Sequence, residues 1–231
     1  YLIGVGGIGM SALARYFNAK GKNVYGFDQL STTLTCNFEQ EGIKVFYNED
    51  IIALDELIFR AGGTNNFLVI YTPAISPENN IFLYFKKQGF KIYKRAEVLG
   101  EISNNSYTVA VAGTHGKTTT STMLAHILKE SGKKTTAFLG GISNNYNTNF
   151  LLAENEDVLI VEADEYDKSF LEIFPDIAVI TSISADHLDV YEDDKKLKYA
   201  FKKFASQVKE NGFLKRIIFL IFNLSLLIFK A

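Results

Sequence analysis

This chain of 231 residues has one cysteine, 3 histidines and a net charge of only -2. Its one cysteine, Cys36, excludes an internal disulfide framework and favours the reducing cytoplasm as its location. Cysteine and histidine do not cluster with the spacing of a metal site. The 24 Lys and Arg residues nearly balance the 26 Asp and Glu residues and are scattered, so the sequence does not indicate a nucleic-acid-binding surface.

Long hydrophobic runs are also missing. The apolar segment 217–229 is shorter than the roughly 18 apolar residues that a membrane-spanning helix needs, so no membrane span is expected. The surrounding segment 214–231 lacks turn residues and polar alternation. It is interpreted either as an aberrant tail or as a buried strand or helix of the domain before it.

A strand, a tight turn and a helix start follow one another at residues 107–122. The turn reads Gly-Thr-His-Gly-Lys-Thr-Thr, and its backbone N–H groups and the helix dipole favour a bound anion. Lys117 can reach the terminal phosphates of a nucleotide, and the Thr118 hydroxyl can bind Mg²⁺. Val111 replaces the first Gly of the strict G-x-x-x-x-G-K-[ST] pattern, so the motif is a variant. The predicted ATP-binding residues are Gly113, Thr114, His115, Gly116, Lys117, Thr118 and Thr119.

A second glycine-rich turn lies near residue 1. Gly4, Gly6 and Gly9 fit G-x-G-x-x-G, where the first Gly permits a tight turn, the second a phosphate approach and the third close helix–strand packing. Asp28 ends the next strand, where an acid can accept hydrogen bonds from ribose hydroxyls. On this pattern alone the alternatives are an NAD-type site and a glycine-rich turn that binds nothing.

An acid and a histidine follow two strands of the second unit. Glu162 follows the apolar strand 158–161, and His187 lies in the loop after the strand 177–181. Because the carboxyl ends of parallel strands share one edge with the turn, a Mg²⁺ site of Thr118, Glu162 and His187 is predicted. Since Mg²⁺ prefers oxygen ligands, His187 ranks below Glu162.

The alternation of apolar strands with helices predicts an α/β protein of two units. We expect a Rossmann-like parallel-sheet domain over residues 1–103. An incomplete P-loop α/β domain is expected over residues 107–213. The polar break at 103–106 separates the two domains.

Three motifs together resemble the Mur ligases, which build the peptide of the bacterial cell wall. They are Gly-Val-Gly-Gly-Ile-Gly-Met-Ser at 4–11, Gly-Thr-His-Gly-Lys-Thr-Thr-Thr at 113–120 and Ala-Asp-His-Leu-Asp-Val-Tyr at 185–191. Their order and spacing are similar to those of the alanine-adding branch up to about Phe213. Branches that add later residues usually carry Asn in place of His115, whereas the branch that recycles murein peptide shares the His.

The resemblance implies that the first unit holds UDP-N-acetylmuramate and not NAD. It further implies MgATP in the second unit, with Lys117, Glu162 and His187 as catalytic residues. The implied reaction is formation of an amide bond to L-alanine through an acyl phosphate. The implied residues for the UDP substrate are Gly4, Gly6, Gly7, Gly9, Asp28, Thr72, Ala74 and Ile75.

One part of the family pattern has no counterpart in this sequence. Mur ligases carry a third, Rossmann-like domain that closes over ATP and binds the amino acid. We therefore expect that the 231 residues do not act as a ligase alone. Three functions stay open: a Mur ligase of the alanine-adding or murein-peptide-recycling type, an NAD-dependent oxidoreductase, and a non-catalytic nucleotide-binding fragment.

Overall fold

The computed structural model describes residues 1–184, 191, 193–220 and 223–230. The chain divides into two compact units, Tyr1–Val98 and Leu99–Ala231. Each unit contains its own sheet with helices between the strands, so the predicted α/β class is confirmed.

The first unit alternates short strands with helices. In chain order its elements are β1 (Leu2–Ile3), α1 (Ile8–Ala19), β2 (Tyr25–Phe27), α2 (Thr33–Gln40), β3 (Lys44–Phe46), α3 (Ile51–Arg60), a 3-10 turn (Thr64–Asn66), β4 (Val69–Tyr71), α4 (Asn80–Lys87) and β5 (Ile92–Lys94). Helix α5 (Arg95–Asn104) spans the division between the units.

The first sheet is parallel and has the strand order β3-β2-β1-β4-β5. Polar side chains begin its helices: the Asp50 carboxylate accepts from Ala53 N at 3.1 Å, and the Asn79 amide oxygen accepts from Phe82 N at 3.0 Å. The strand order reverses between β1 and β4, which is where open α/β sheets bind ligands. The core of this unit is a buried apolar cluster that includes Ile3, Phe27, Leu54, Val69, Ile81 and Phe85.

The second unit contains the longer strands. Its elements are β6 (Thr108–Ala112), α6 (Lys117–Glu130), β7 (Thr135–Ser143), β8 (Thr148–Leu151), β9 (Val158–Glu162), a 3-10 helix (Tyr166–Glu172), β10 (Ile177–Ile180), α7 (Asp194–Ser206), β11 (Phe213–Leu220) and β12 (Asn223–Lys230).

The second sheet has the order β12-β11-β10-β6-β9-β7-β8. Its five inner strands are parallel, and β8 and β12 add antiparallel edges. Buried Val109, Val111, Ile160 and Leu139 form part of its core. Because β6 lies between β9 and β10, the turn after β6 lies beside the ends of two other parallel strands.

Residues 214–220 and 223–230 lie in the strands β11 and β12. Strand β11 pairs in parallel with β10, and β12 pairs with β11 in the antiparallel sense. Across the residues that the structure describes, no helix is both long and apolar enough to cross a membrane.

Candidate functional site

The turn between β6 and α6 has a backbone that favours glycine at two positions. Gly113 has φ +137° and Gly116 has φ +78°, both in the range that L side chains rarely adopt. A Cβ atom at 113 would collide with the hydroxyl of Thr181. Among the described residues no side chain caps α6. The backbone N–H groups of its first turn, which includes the exposed Thr119, can therefore donate to a bound anion.

Hydroxyl groups of the loop after β10 fix the conformation of this turn. The amide of His115 donates to Ser182 Oγ at 3.0 Å, and Thr181 Oγ1 donates to the His115 carbonyl at 2.6 Å. Thr114 Oγ1 lies 2.9 Å from Ser184 Oγ and 3.1 Å from Ser182 Oγ. Sequence reasoning missed these supporting residues. The signal was the hydroxyl-rich Thr-Ser-Ile-Ser that directly follows the apolar strand at 177–180.

Lys117 is the only predicted catalytic residue whose side chain forms an ion pair within the described ranges. Its ammonium donates to the Gly113 carbonyl at 2.8 Å and to the two carboxylate oxygens of Glu165 at 2.9 and 2.7 Å. Asp164 Oδ1 lies farther away, at 3.7 Å. Burial raises the pKa of Glu165, and the hydrogen bond from Lys117 opposes that rise. Sequence reasoning did not predict the role of Glu165.

Two of the three predicted magnesium ligands lie in direct contact. Thr118 Oγ1 donates to Glu162 Oε1 at 2.9 Å, while Glu162 Oε2 accepts from the Gly140 amide at 2.8 Å and from Ser121 Oγ at 3.3 Å. A Cβ atom at 140 would collide with the Glu162 carboxylate, so the glycine permits this approach. A hydroxyl and a carboxylate beside a turn that favours an anion are oxygen donors of the kind that suits Mg²⁺.

His187, the third predicted ligand, lies outside the described residues, as does most of the motif at 185–191. Within the described part of the chain, no three His, Cys, Asp or Glu side chains are grouped so that they could hold a metal ion. The Thr118–Glu162 pair is therefore the part of the predicted Mg²⁺ site that the structure describes.

In the first unit, the turn after β1 meets the loop after β4. Gly4 has φ +82°, and a Cβ atom there would collide with the Thr72 methyl group and lie 3.2 Å from Ile75 Cγ1. Ala74 is exposed on the same loop. The fold thus brings Gly4, Thr72 and Ile75 together at the point where the strand order reverses.

Gly6 allows the close approach of Asp28. The Gly6 amide donates to Asp28 Oδ2 at 2.8 Å, and the Leu30 amide donates to Oδ1 at 3.2 Å. A Cβ atom at 6 would lie 2.8 Å from that Oδ2 and 3.0 Å from Thr35 Cγ2. The sequence pattern attributes this glycine to the approach of a phosphate. In the structure, the Asp28 carboxylate also occupies the space that a side chain at position 6 would enter.

Gly9 leaves space for a cation. A Cβ atom at 9 would lie 2.7 Å from Arg95 Nη1, whereas one at Gly7 would make only an ordinary contact, at 3.7 Å from the Gly4 carbonyl. The guanidinium group of Arg95 therefore lies beside the start of α1. Sequence reasoning missed Arg95, although it lies in the Lys-Arg-Ala-Glu segment at 94–97.

The chain is similar to Mur ligases along almost its whole length. The family described as "Mur ligase family, catalytic domain" matches residues 1–107, and the "Mur ligase middle domain" matches residues 111–226. UDP-N-acetylmuramate–L-alanine ligases of Christiangramia forsetii and Flavobacterium psychrophilum are 51% and 49% identical to it over 212 residues. The alignments cover 92% of this chain and 46% of each relative. The chain thus spans about half the length of the curated relatives it matches.

Solved structures give the same result for the fold. The UDP-N-acetylmuramate:L-alanyl-gamma-D-glutamyl-meso-diaminopimelate ligase of Neisseria meningitides matches with a TM-score of 0.81 and 25% identity over 95% of this chain and 71% of that one. The UDP-N-acetylmuramate–alanine ligase of Thermotoga maritima matches with a TM-score of 0.78 and 28% identity over 94% of this chain and 48% of that one. The two family matches, over residues 1–107 and 111–226, include both glycine-rich turns. The resemblance indicated by the motifs is thus confirmed: the chain belongs to the Mur ligase family.

Proposed function

We propose that this chain carries the UDP-substrate unit and the ATP unit of a ligase that joins L-alanine to UDP-N-acetylmuramate in peptidoglycan precursor synthesis. The observation that carries the proposal is the arrangement at the end of β6, where Lys117 and the Thr118–Glu162 pair flank one anion-binding turn. The names of relatives at up to 51% identity support alanine as the amino acid. The fold alone does not distinguish this reaction from murein-peptide recycling, because structures named for both reactions match it.

Residues of the ATP unit would neutralise the charge of the phosphates and orient the nucleotide. The N-terminus of α6 would bind the phosphates, and Lys117 would neutralise the charge that develops on the γ-phosphoryl group. The Thr118 hydroxyl and the Glu162 carboxylate would hold Mg²⁺, which when bound neutralises phosphate charge and orients the nucleotide. Glu162 is kept in place for this by the Gly140 amide and Ser121.

The proposed reaction has two steps. The muramate carboxylate attacks the γ-phosphorus, the bond to ADP breaks, and an acyl phosphate forms. The amine of L-alanine then attacks the acyl carbon, and inorganic phosphate leaves. The first step requires the carboxylate to lie in line with the γ-phosphate, because positioning alone can remove roughly 7–11 kcal/mol from such a barrier.

The UDP unit would use the turn after β1. The N-terminus of α1 and the Arg95 guanidinium beside Gly9 form a positive region that suits a diphosphate. Asp28 and the loop of Thr72, Ala74 and Ile75 would line the rest of this site.

Gly6→Val is expected to weaken binding of UDP-N-acetylmuramate by at least about tenfold, since the added side chain enters the space between the turn and Asp28. MgATP affinity should stay unchanged, because its site lies in the other unit. Isothermal titration calorimetry with each ligand measures both.

Ala19→Val is the control for this experiment, since Ala19 is exposed at the last position of α1 and lies outside the proposed site. Equal loss of both ligands in Gly6→Val would indicate misfolding. Retained affinity for the UDP substrate would contradict the assignment of the first unit.

Glu162→Gln is expected to reduce the enhancement of ATP affinity by Mg²⁺ about tenfold, because the variant loses the charge that binds the cation. Its amide oxygen can still accept from the Gly140 amide, and its NH2 group can donate to Thr118 Oγ1. The measurement is the ratio of ATP dissociation constants with and without Mg²⁺. Glu154→Gln, at an exposed position of the same unit, gives the matched loss of charge. An unchanged ratio in Glu162→Gln would show that Glu162 does not bind the metal.

A further inference from the structure

The ammonium group of Lys117 already has a full set of acceptors. It carries three N–H donors. The structure provides three close oxygens: the Gly113 carbonyl at 2.8 Å and both carboxylate oxygens of Glu165 at 2.9 and 2.7 Å. A phosphate oxygen can therefore be reached by this ammonium only if it leaves one of these acceptors.

The side chain of Glu165 is fully buried. Its side chain is 0% exposed, against 13% for Lys117 and 44% for Asp164. Its backbone carbonyl accepts a hydrogen bond from the Tyr191 hydroxyl, and the residue stands at the start of the 3-10 helix Tyr166–Glu172. A buried carboxylate without a counter-ion is costly, so Glu165 holds the Lys117 ammonium strongly.

We propose that Glu165 is a positioning residue that competes with the nucleotide for Lys117. It holds the ammonium against the Gly113 carbonyl before ATP binds, and the terminal phosphates must draw the ammonium away. This inference rests on the proposed function, because it takes ATP as the ligand of the turn after β6. Glu165 lies outside the turn after β6 and, by this competition, sets the affinity of the site for the terminal phosphates.

The competition has a measurable consequence. When ATP or ADP binds, Lys117 exchanges a charge-assisted hydrogen bond to Glu165 for one to a phosphate oxygen. The lysine therefore adds little to the net binding free energy. AMP lacks the terminal phosphates and does not require the exchange. A neutral side chain at 165 should therefore strengthen binding of ATP and ADP and leave AMP unchanged.

The test is calorimetric titration of the 231-residue chain with MgATP, MgADP and AMP. Glu165→Gln is expected to bind MgATP about tenfold more tightly, the scale of one charge-assisted hydrogen bond. Asp164→Asn should give a smaller gain, since its carboxylate is more exposed and 3.7 Å from the ammonium. Glu154→Gln, which loses an exposed charge of the same unit, should give none.

A double-mutant cycle separates competition for the lysine from general repulsion of phosphate. The gain from Glu165→Gln should largely disappear when Lys117 is replaced by alanine, because the carboxylate then has no ammonium to hold. An equal gain in both backgrounds, or weaker MgATP binding by Glu165→Gln, overturns the proposal. If Glu165→Gln does not fold, Glu165→Asp keeps the charge but withdraws it by one methylene group, and a gain of about twofold to threefold is expected.

The outcomes also separate this inference from the proposed function. MgATP binding by the unmutated chain with no gain in either variant of Glu165 leaves the proposed function standing and rejects the inference. Binding that becomes detectable only in Glu165→Gln supports both. Absence of MgATP binding in every variant rejects both.

Discussion

Replacing Lys117 by alanine is expected to lower kcat for ligation by about 10²–10³-fold, taking the loss of one oxyanion-stabilising donor as the guide. The lost group is the cation proposed to neutralise the γ-phosphoryl group in the transition state. The measurement is the rate of ADP formation that depends on L-alanine, in a full-length ligase carrying these two units. Lys133→Ala, at an exposed position after the end of α6, is the matched control and should keep its rate.

The same substitution leaves the buried carboxylate of Glu165 without its counter-ion. Breaking a buried pair from one side costs about 3–5 kcal/mol of folding free energy, so inactivity through unfolding must be separated from inactivity through chemistry. The double variant Lys117→Ala with Glu165→Gln is expected to recover stability in urea unfolding without recovering turnover. Near-normal turnover in Lys117→Ala would show that the turn after β6 is not the ATP site.

Gly113→Ala is expected to destabilise the second unit by about 2–6 kcal/mol, the sum of backbone strain and a steric collision. The backbone at 113 has φ +137°, and the new Cβ atom would collide with the Thr181 hydroxyl that also holds the turn. Urea unfolding followed by circular dichroism measures the loss. ATP binding should fall with it, since the turn cannot keep its shape.

Gly132→Ala separates the two causes. Gly132 has φ +84°, but a Cβ atom there meets open space, so only the backbone term of about 1–2 kcal/mol is expected. Losses of equal size at 113 and 132 would mean that the contact with Thr181 does not shape the turn.

The parts of the candidate site that sequence could predict are local or follow from the sheet edge. The Gly-Thr-His-Gly-Lys-Thr turn is contiguous, and its glycines and lysine need no long-range information. The contact of Thr118 with Glu162 follows because β6 and β9 are parallel neighbours that end at the same edge. His187 and its magnesium role remain a prediction.

The pairing of Lys117 with Glu165 could not be predicted from the pattern. Four acidic residues stand between 162 and 167, and any of them could face the turn. The choice depends on the 3-10 helix after Glu165 and on the Tyr191 hydroxyl that binds its carbonyl, which are tertiary features.

The contacts of the glycines in the turn after β1 could also not be predicted from the pattern. The spacing of Gly4, Gly6 and Gly9 indicated a tight turn and close approach, but not which groups approach. Asp28 and Arg95 occupy those positions, and both come from later segments of the chain.

Calorimetric titration of the unmutated chain with UDP-N-acetylmuramate, MgATP and NADH tests the ligands proposed for both units. We expect saturable binding of one UDP-N-acetylmuramate and one MgATP per chain and no heat from NADH beyond dilution. Binding of NADH together with no binding of UDP-N-acetylmuramate would contradict this expectation.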